Sequence, residues 1–134
     1  KVVVLHAFQM LCPGCVLHAV PQAERMHRHY SKDDVAVVGL HTVFEHHDAM
    51  PPHALEAFVH EYGLRFPVGV DMPSEGGQPL PHTMLRMGWQ GTPTTLVLDR
   101  AGRLRVQHFG HVDDLQLGVV LGQMLAEPPH APTA

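Results

Sequence analysis

Apolar positions fall along this chain in strand-like runs and helix-spaced stripes, and their order sketches a fold. Val2 to Phe8 is a nearly continuous apolar run rich in β-branched residues, the mark of a strand covered on both faces. From Pro13 to about His29, Val16, Ala19, Val20 and Ala23 recur at helical spacing, with Pro13 suited to the first position and Pro21 expected to kink the helix. Val35 to Leu40 reads as a second buried strand, and strand-helix-strand order requires a right-handed crossover and parallel pairing. Pro51-Pro52 then opens a helix carrying Leu55, Phe58, Val59 and Tyr62, with Gly63 placed to end it. Phe66 to Val70 reads as a short strand, 71–81 as a mobile Pro- and Gly-rich surface loop, and Thr83 to Met87 as a short helix. Thr94 to Leu98 and Leu104 to Phe109 are antiparallel strands joined by Asp99-Arg100-Ala101-Gly102. Asp113 or Asp114 caps a last helix whose face is Leu117, Val120, Leu121 and Met124, and the closing residues 127–134 are expected to fray. The order is β-α-β, an α-rich insertion over 41–90, then β-β-α: one α/β domain spanning residues 1–134.

Composition narrows the function. With 45% hydrophobic and 16% charged residues, the 134-residue chain can pack a core and is not a disordered segment. Nine Lys and Arg against 13 Asp and Glu leave a formal charge of −4, and the basic residues form no run, which argues against nucleic acid as a partner. No apolar stretch approaches the roughly 20 residues that cross a bilayer. Lys1 leads straight into the first strand, so no targeting segment is visible; an upstream anchor and the compartment, periplasmic or cytoplasmic, stay open.

The two cysteines are too few for a disulfide framework, and they sit together as Cys12-Pro13-Gly14-Cys15 between the first strand and the first helix. A thiol at a helix start meets unpaired backbone N–H groups and the positive end of the dipole, so Cys12 is expected to ionise more readily. Its thiolate can attack a disulfide and form a mixed disulfide, which Cys15 then resolves. A structural disulfide is the weaker alternative because so small a ring restrains little chain entropy. Half a zinc site is weaker too, since no second cysteine pair exists.

The strand-CPGC-helix opening, Gly91-Thr92-Pro93-Thr94 ahead of a strand, and the Leu98-Asp99-Arg100-Ala101-Gly102 hairpin together resemble the thioredoxin-like superfamily, specifically its TlpA-like and redoxin branch, over nearly the whole chain. The resemblance implies a thioredoxin-like fold, with a central mixed β-sheet flanked by helices and enlarged by the insertion. It also implies thiol-disulfide exchange with protein dithiols and disulfides, regenerated by a reductant or oxidant partner, by a monomer with no cofactor and no metal. It carries the nucleophile onto Cys12, the resolving thiol onto Cys15 and a cis-proline onto Pro93, with the backbone of Thr92 offered to a bound peptide. The family usually has Trp where this chain has Leu11, so a partner-contact surface is changed. Where thioredoxins bury an acidic group this chain has His6, which could take the Cys15 proton during resolution or simply be a satisfied core histidine. Trp89, just ahead of the Pro93 turn, is either a substrate-facing aromatic or a rim residue.

Two other readings compete. Peroxidases of the alkyl hydroperoxide reductase and thiol-specific antioxidant group share the fold, but normally place Pro seven and Thr or Ser three residues before the reactive Cys; here those positions are Leu5 and Gln9. A copper-binding or delivery protein is suggested by the 13 histidines, of which His41, His46, His47 and His53 lie near Glu45 and Asp48. They lack i, i+4 pairing, and surface positions are expected for most. Met10 alone is near enough to the cysteines to suggest a soft ligand, while Met26 and Met124 read as core filler.

Overall fold

Strand β1 (Val2–Phe8) lies at the centre of a five-stranded sheet of order β3-β2-β1-β4-β5. The computed structural model describes residues 1–128 of the chain. β2 (Val35–His41) runs parallel to β1, with Val2 opposite Val35 and Phe8 opposite His41, and β3 (Val68–Val70) extends the sheet in parallel from Gly39 opposite Val68. On the other side β4 (Thr94–Leu98) runs antiparallel to β1 and pairs in turn with β5 (Leu104–Phe109). The expected insertion therefore adds an edge strand as well as helices.

Alternation along β1 sorts its side chains into two layers. Val2, Val4 and Phe8 face a core built with Cys15, with Val20, Ala23 and Met26 of α1 (Val20–His29), with Leu55 of α2 (Pro52–Glu61), and with Leu117, Leu121 and Met124 of α4 (Asp114–Ala126). Ala7 faces the opposite layer, made with Leu96, Trp89 and Met84, the last from α3 (His82–Met87). Burial on both faces is why β1 reads as a nearly continuous apolar run, interrupted by His6. Gly39 in β2 is a close-approach position: a Cβ there would come within 3.0 Å of the Phe66 ring and 3.2 Å of the Phe8 ring.

Pro21 acts differently from the expected simple kink. Residues Cys15–Ala19 form a π-helical turn, closed by Val20 N–H donating to the Cys15 carbonyl, and α1 continues from there with Pro21 in its first turn. A regular α-helix would ask Pro21 for a donor it lacks and press its ring against the carbonyl four residues back; widening the preceding turn relieves both.

The loop 71–81, expected to be mobile, is tied down. The buried Asp71 carboxylate accepts Thr83 N–H at 2.8 Å and Met84 N–H at 3.1 Å, serving the open first turn of α3, and Ser74 Oγ donates to the Leu80 carbonyl at 2.6 Å. At the other end, Asp113 caps α4 by accepting Leu115 N–H at 3.0 Å. Of the tail expected to fray, Glu127 is held by an ion pair with Arg105 at 2.8 Å, and residues 129–134 lie outside the described residues. Among the described residues no helix is long and apolar enough to cross a membrane.

Candidate active site

The chain leaves β1 at Phe8 and turns at once into the helix that starts at the cysteines. Cys12 N–H donates to the Gln9 carbonyl at 3.2 Å, and the Cys12 carbonyl accepts both Cys15 N–H at 3.1 Å and Val16 N–H at 3.0 Å. Cys15 N–H also lies 3.3 Å from Cys12 Sγ, so the Cys12 sulfur occupies the place an N-capping oxygen would take, three residues ahead of its donor. Both cysteines are free; Cys12 is half-buried and Cys15 fully buried. Burial pushes the Cys15 thiol up to about 12, reinforced by its hydrogen bond with Cys12, while the Gln9 backbone and the Thr92 hydroxyl pull the other way. Cys15 is thus a buried proton carrier at neutral pH, and Cys12 is the sulfur that solvent reaches.

The second wall comes from the segment before β4. The Thr92-Pro93 peptide bond is cis, and the Thr92 carbonyl accepts Cys12 Sγ–H at 3.5 Å. The Pro93 ring lies over the CPGC turn: a Cβ at Gly14 would sit 3.5 Å from Pro93 Cδ. Gly110 N–H donates to the Pro93 carbonyl at 2.8 Å and Thr94 Oγ1 to the Gly91 carbonyl at 2.7 Å, fixing this turn from β5 and from its own strand. Leu11, 56% exposed, and Leu17, 68% exposed, give the rim an apolar character.

Beneath the dithiol, Gln9 is fully buried. Its Nε2 lies 3.5 Å from Thr92 Oγ1 as donor, and its Oε1 accepts Phe44 N–H at 3.2 Å. It links the cysteine turn, the Thr92 hydroxyl and the start of the insertion. Sequence reading used Gln9 only as a position where a hydroxyl is missing; the signal for its role was an amide placed directly after an apolar strand.

Neither a family model nor a curated protein sequence matches the chain. Solved structures do. A thiol-disulfide isomerase from Corynebacterium glutamicum superposes with a TM-score of 0.93 at 55% identity, covering 96% of this chain and 82% of that one. A second crystal structure, of a thioredoxin-like superfamily protein, gives 0.91 at 52% identity over 96% of this chain and 82% of that one. The chain belongs to the thioredoxin-like superfamily. StoA from Bacillus subtilis, at 24% identity and a TM-score of 0.66 over 87% of this chain and 79% of that one, shares the fold.

Within this thioredoxin-like frame the remaining candidate residues fall in different places. His6 sits on β1 between Gly39 and Thr95, fully buried, with Nε2 3.0 Å from Gln22 Oε1 of α1. Burial pushes its pKa below the ordinary histidine value, and the Gln22 hydrogen bond works in the other direction. Trp89, open in the sequence between a substrate-facing and a rim place, is buried against Met84, Ala7 and Leu96, because α3 folds the segment before Pro93 onto the sheet. His41 is an exception to the surface positions expected for most of the histidines. It ends β2 in the interior, packs against Phe8 with ring centroids 5.3 Å apart, and accepts Met10 N–H on Nε2 at 3.2 Å; burial lowers its pKa to about 4. His46, His47 and His53 are exposed, and among the described residues no three His, Cys, Asp or Glu side chains gather as a metal ion would require.

Proposed function

We propose that the chain is a thiol-disulfide oxidoreductase that exchanges disulfides with protein partners, with Cys12 as nucleophile and Cys15 as resolving thiol. The observation that carries this reading is the asymmetry of the pair: an accessible sulfur that accepts a backbone N–H, three residues from a buried thiol held protonated. The relative from Corynebacterium glutamicum, described as a thiol-disulfide isomerase, supports the same chemistry.

In the reducing direction the Cys12 thiolate attacks one sulfur of a partner disulfide, forming a Cys12–partner bond and releasing the other partner sulfur with the electron pair. Cys15 then loses its proton and attacks Cys12 Sγ. The Cys12–Cys15 disulfide forms, the Cys12–partner bond breaks, and the partner leaves as a dithiol; an external dithiol must later reduce the pair. Leu11, Thr92 and Pro93 are the surface on which an extended partner segment lies, Thr92 through its main chain and Leu11 through apolar contact. Once Cys12 is a thiolate it no longer donates to the Thr92 carbonyl, and that acceptor is freed for the partner's N–H. His6 is the proton acceptor for Cys15.

The test is a pair of variants. Cys12→Ser reduces insulin disulfides only at background rate, and Cys15→Ser accumulates mixed disulfides through Cys12 that a reductant releases. Wild-type turnover in Cys12→Ser, or no trapped adduct in Cys15→Ser, overturns the assignment.

A further inference from the structure

Gln22 is fully buried and every polar atom of its side chain is engaged. Its amide nitrogen donates to the Val112 carbonyl at 2.6 Å and to Asp114 Oδ1 at 2.9 Å, and its amide oxygen lies 3.0 Å from His6 Nε2. This orientation is chemically forced. Turned over, the amide would set its oxygen against a carbonyl and a carboxylate, neither of which can donate. An oxygen facing His6 requires that Nε2 carry the hydrogen, so in the neutral imidazole Nδ1 is the bare lone pair. Nδ1 is buried, and no group among the described residues pairs with it. A buried acceptor with no partner is costly, and its presence here calls for a use.

His6 lies on the same face of β1 as Val4 and Phe8, both of which pack in the layer that holds Cys15, and Gln22 reaches it from the helix that Cys15 begins. We propose that Gln22 is a positioning residue that fixes His6 as the Nε2–H tautomer and thereby presents Nδ1 to receive the Cys15 proton during resolution. The proposal rests on the exchange reading above. In the step, the Cys15 S–H bond breaks and an Nδ1–H bond forms; the sulfur electron pair makes the Cys15–Cys12 bond, and the Cys12–partner bond breaks with its pair leaving on the partner sulfur. The resulting imidazolium keeps its Nε2–H on the Gln22 oxygen, whose amide is polarised by Asp114 at its far end. The ionisable groups around this relay are Asp114, Arg25 paired with it at 3.1 Å, and the His111 imidazole near Asp114; the strand neighbours Gly39 and Thr95 do not titrate.

Two measurements on the whole chain test this. In protein carrying 15N-histidine, long-range 1H–15N correlation at neutral pH should find the His6 proton on Nε2; a proton on Nδ1 overturns the proposal, whatever the activity. In single-turnover release of glutathione from a Cys12–glutathione mixed disulfide, wild-type resolution should be nearly flat between pH 7 and 9. Gln22→Met should slow it about 10- to 100-fold at pH 7 and restore a steep rise with pH, while the rate of initial Cys12 attack stays unchanged. An unchanged resolution rate and profile in Gln22→Met overturns the role of Gln22. Should Gln22→Met fail to fold, the wild-type tautomer still decides. Failure of Cys12→Ser to lose activity would instead remove the exchange reading and leave the tautomer standing.

Discussion

The Cys12 thiol meets the main-chain carbonyl of Thr92 at 3.5 Å, across 80 residues of chain. The contact ties the start of the first helix to the turn ahead of β4, two segments brought together because β1 and β4 are antiparallel neighbours in the sheet, so that β4 begins where β1 ends. The nucleophile is therefore set against backbone rather than against a side chain. Changing the residue type at position 92 alters the hydroxyl that touches Gln9 and Cys15 but leaves this carbonyl in place.

The contrast between the two thiols has a direct chemical readout. Cys15, held near 12 by burial first and by Cys12 second, has a thiolate fraction that rises about tenfold per pH unit throughout the neutral range. In Cys12→Ser, alkylation of Cys15 by iodoacetamide should be slow at pH 7 and climb without a plateau up to at least pH 10. A plateau near pH 8 to 9, where an ordinary thiol titrates, would show that Cys15 is not held as described.

Gln9 should behave as a structural link and not as a spare polar residue. Gln9→Leu leaves Phe44 N–H without its acceptor and the Thr92 hydroxyl without its donor, each buried or half-buried. The expected cost is about 1–3 kcal/mol, read as a shift of the denaturant midpoint at constant slope. A midpoint within error of wild type would sink this role.

What could be read from the sequence and what could not divides along physical lines. β1, β2, β4 and the faces of α2 and α4 were legible because burial on one or two sides leaves a periodic apolar trace, the largely exposed β5 because the short Asp99–Gly102 linker joins it to β4 as a hairpin, and the CPGC turn because its spacing permits few chemistries. The π turn ahead of Pro21 was not, since a missing donor can be met by a kink or by a widened turn and only packing decides. The interior places of Trp89 and His41 depend on contacts made by distant segments: α3 carries one onto the sheet, and the other faces Met10, 31 residues away in sequence. Gln9 and Gln22 were invisible as site residues for the same reason, because an amide's role lies in its partners.

Two buried neutral histidines make the fold acid-sensitive. His41 titrates near 4 in the folded chain and at its ordinary 6.5 when unfolded, so between those values the unfolded chain binds more protons and stability falls as the pH falls. The loss attributable to His41 is on the order of 3 kcal/mol by pH 4, and His6, shifted in the same direction, adds to it. His41→Gln, which retains an acceptor for Met10 N–H, should flatten most of the decline in unfolding free energy between pH 6.5 and 4. An identical decline in the variant would place the acid sensitivity elsewhere.

Peroxide chemistry is the sharpest contrast to disulfide exchange, because it asks something different of the same sulfur. A peroxidatic thiolate gains its speed from donors that hold the peroxide oxygens and stabilise the leaving hydroxide, beyond what ionisation alone provides. Beside Cys12 the nearest fixed group on the Thr92 side is a carbonyl, an acceptor, and the amide of Gln9 that lies closest beneath is already committed to Thr92 and Phe44. Among the described residues the donor aimed at the sulfur is Cys15 N–H, which serves the thiolate itself. Reduced protein mixed with hydrogen peroxide in a stopped-flow cell should therefore lose its Cys12 thiol no faster than a small thiol compared at equal thiolate concentration, while the same protein reacts with a strained or activated disulfide well above that reference. A peroxide rate several orders of magnitude above the free-thiol reference would mean that donors not evident in this arrangement assemble around the peroxide, and peroxidase activity would then displace protein disulfide exchange as the function of the site.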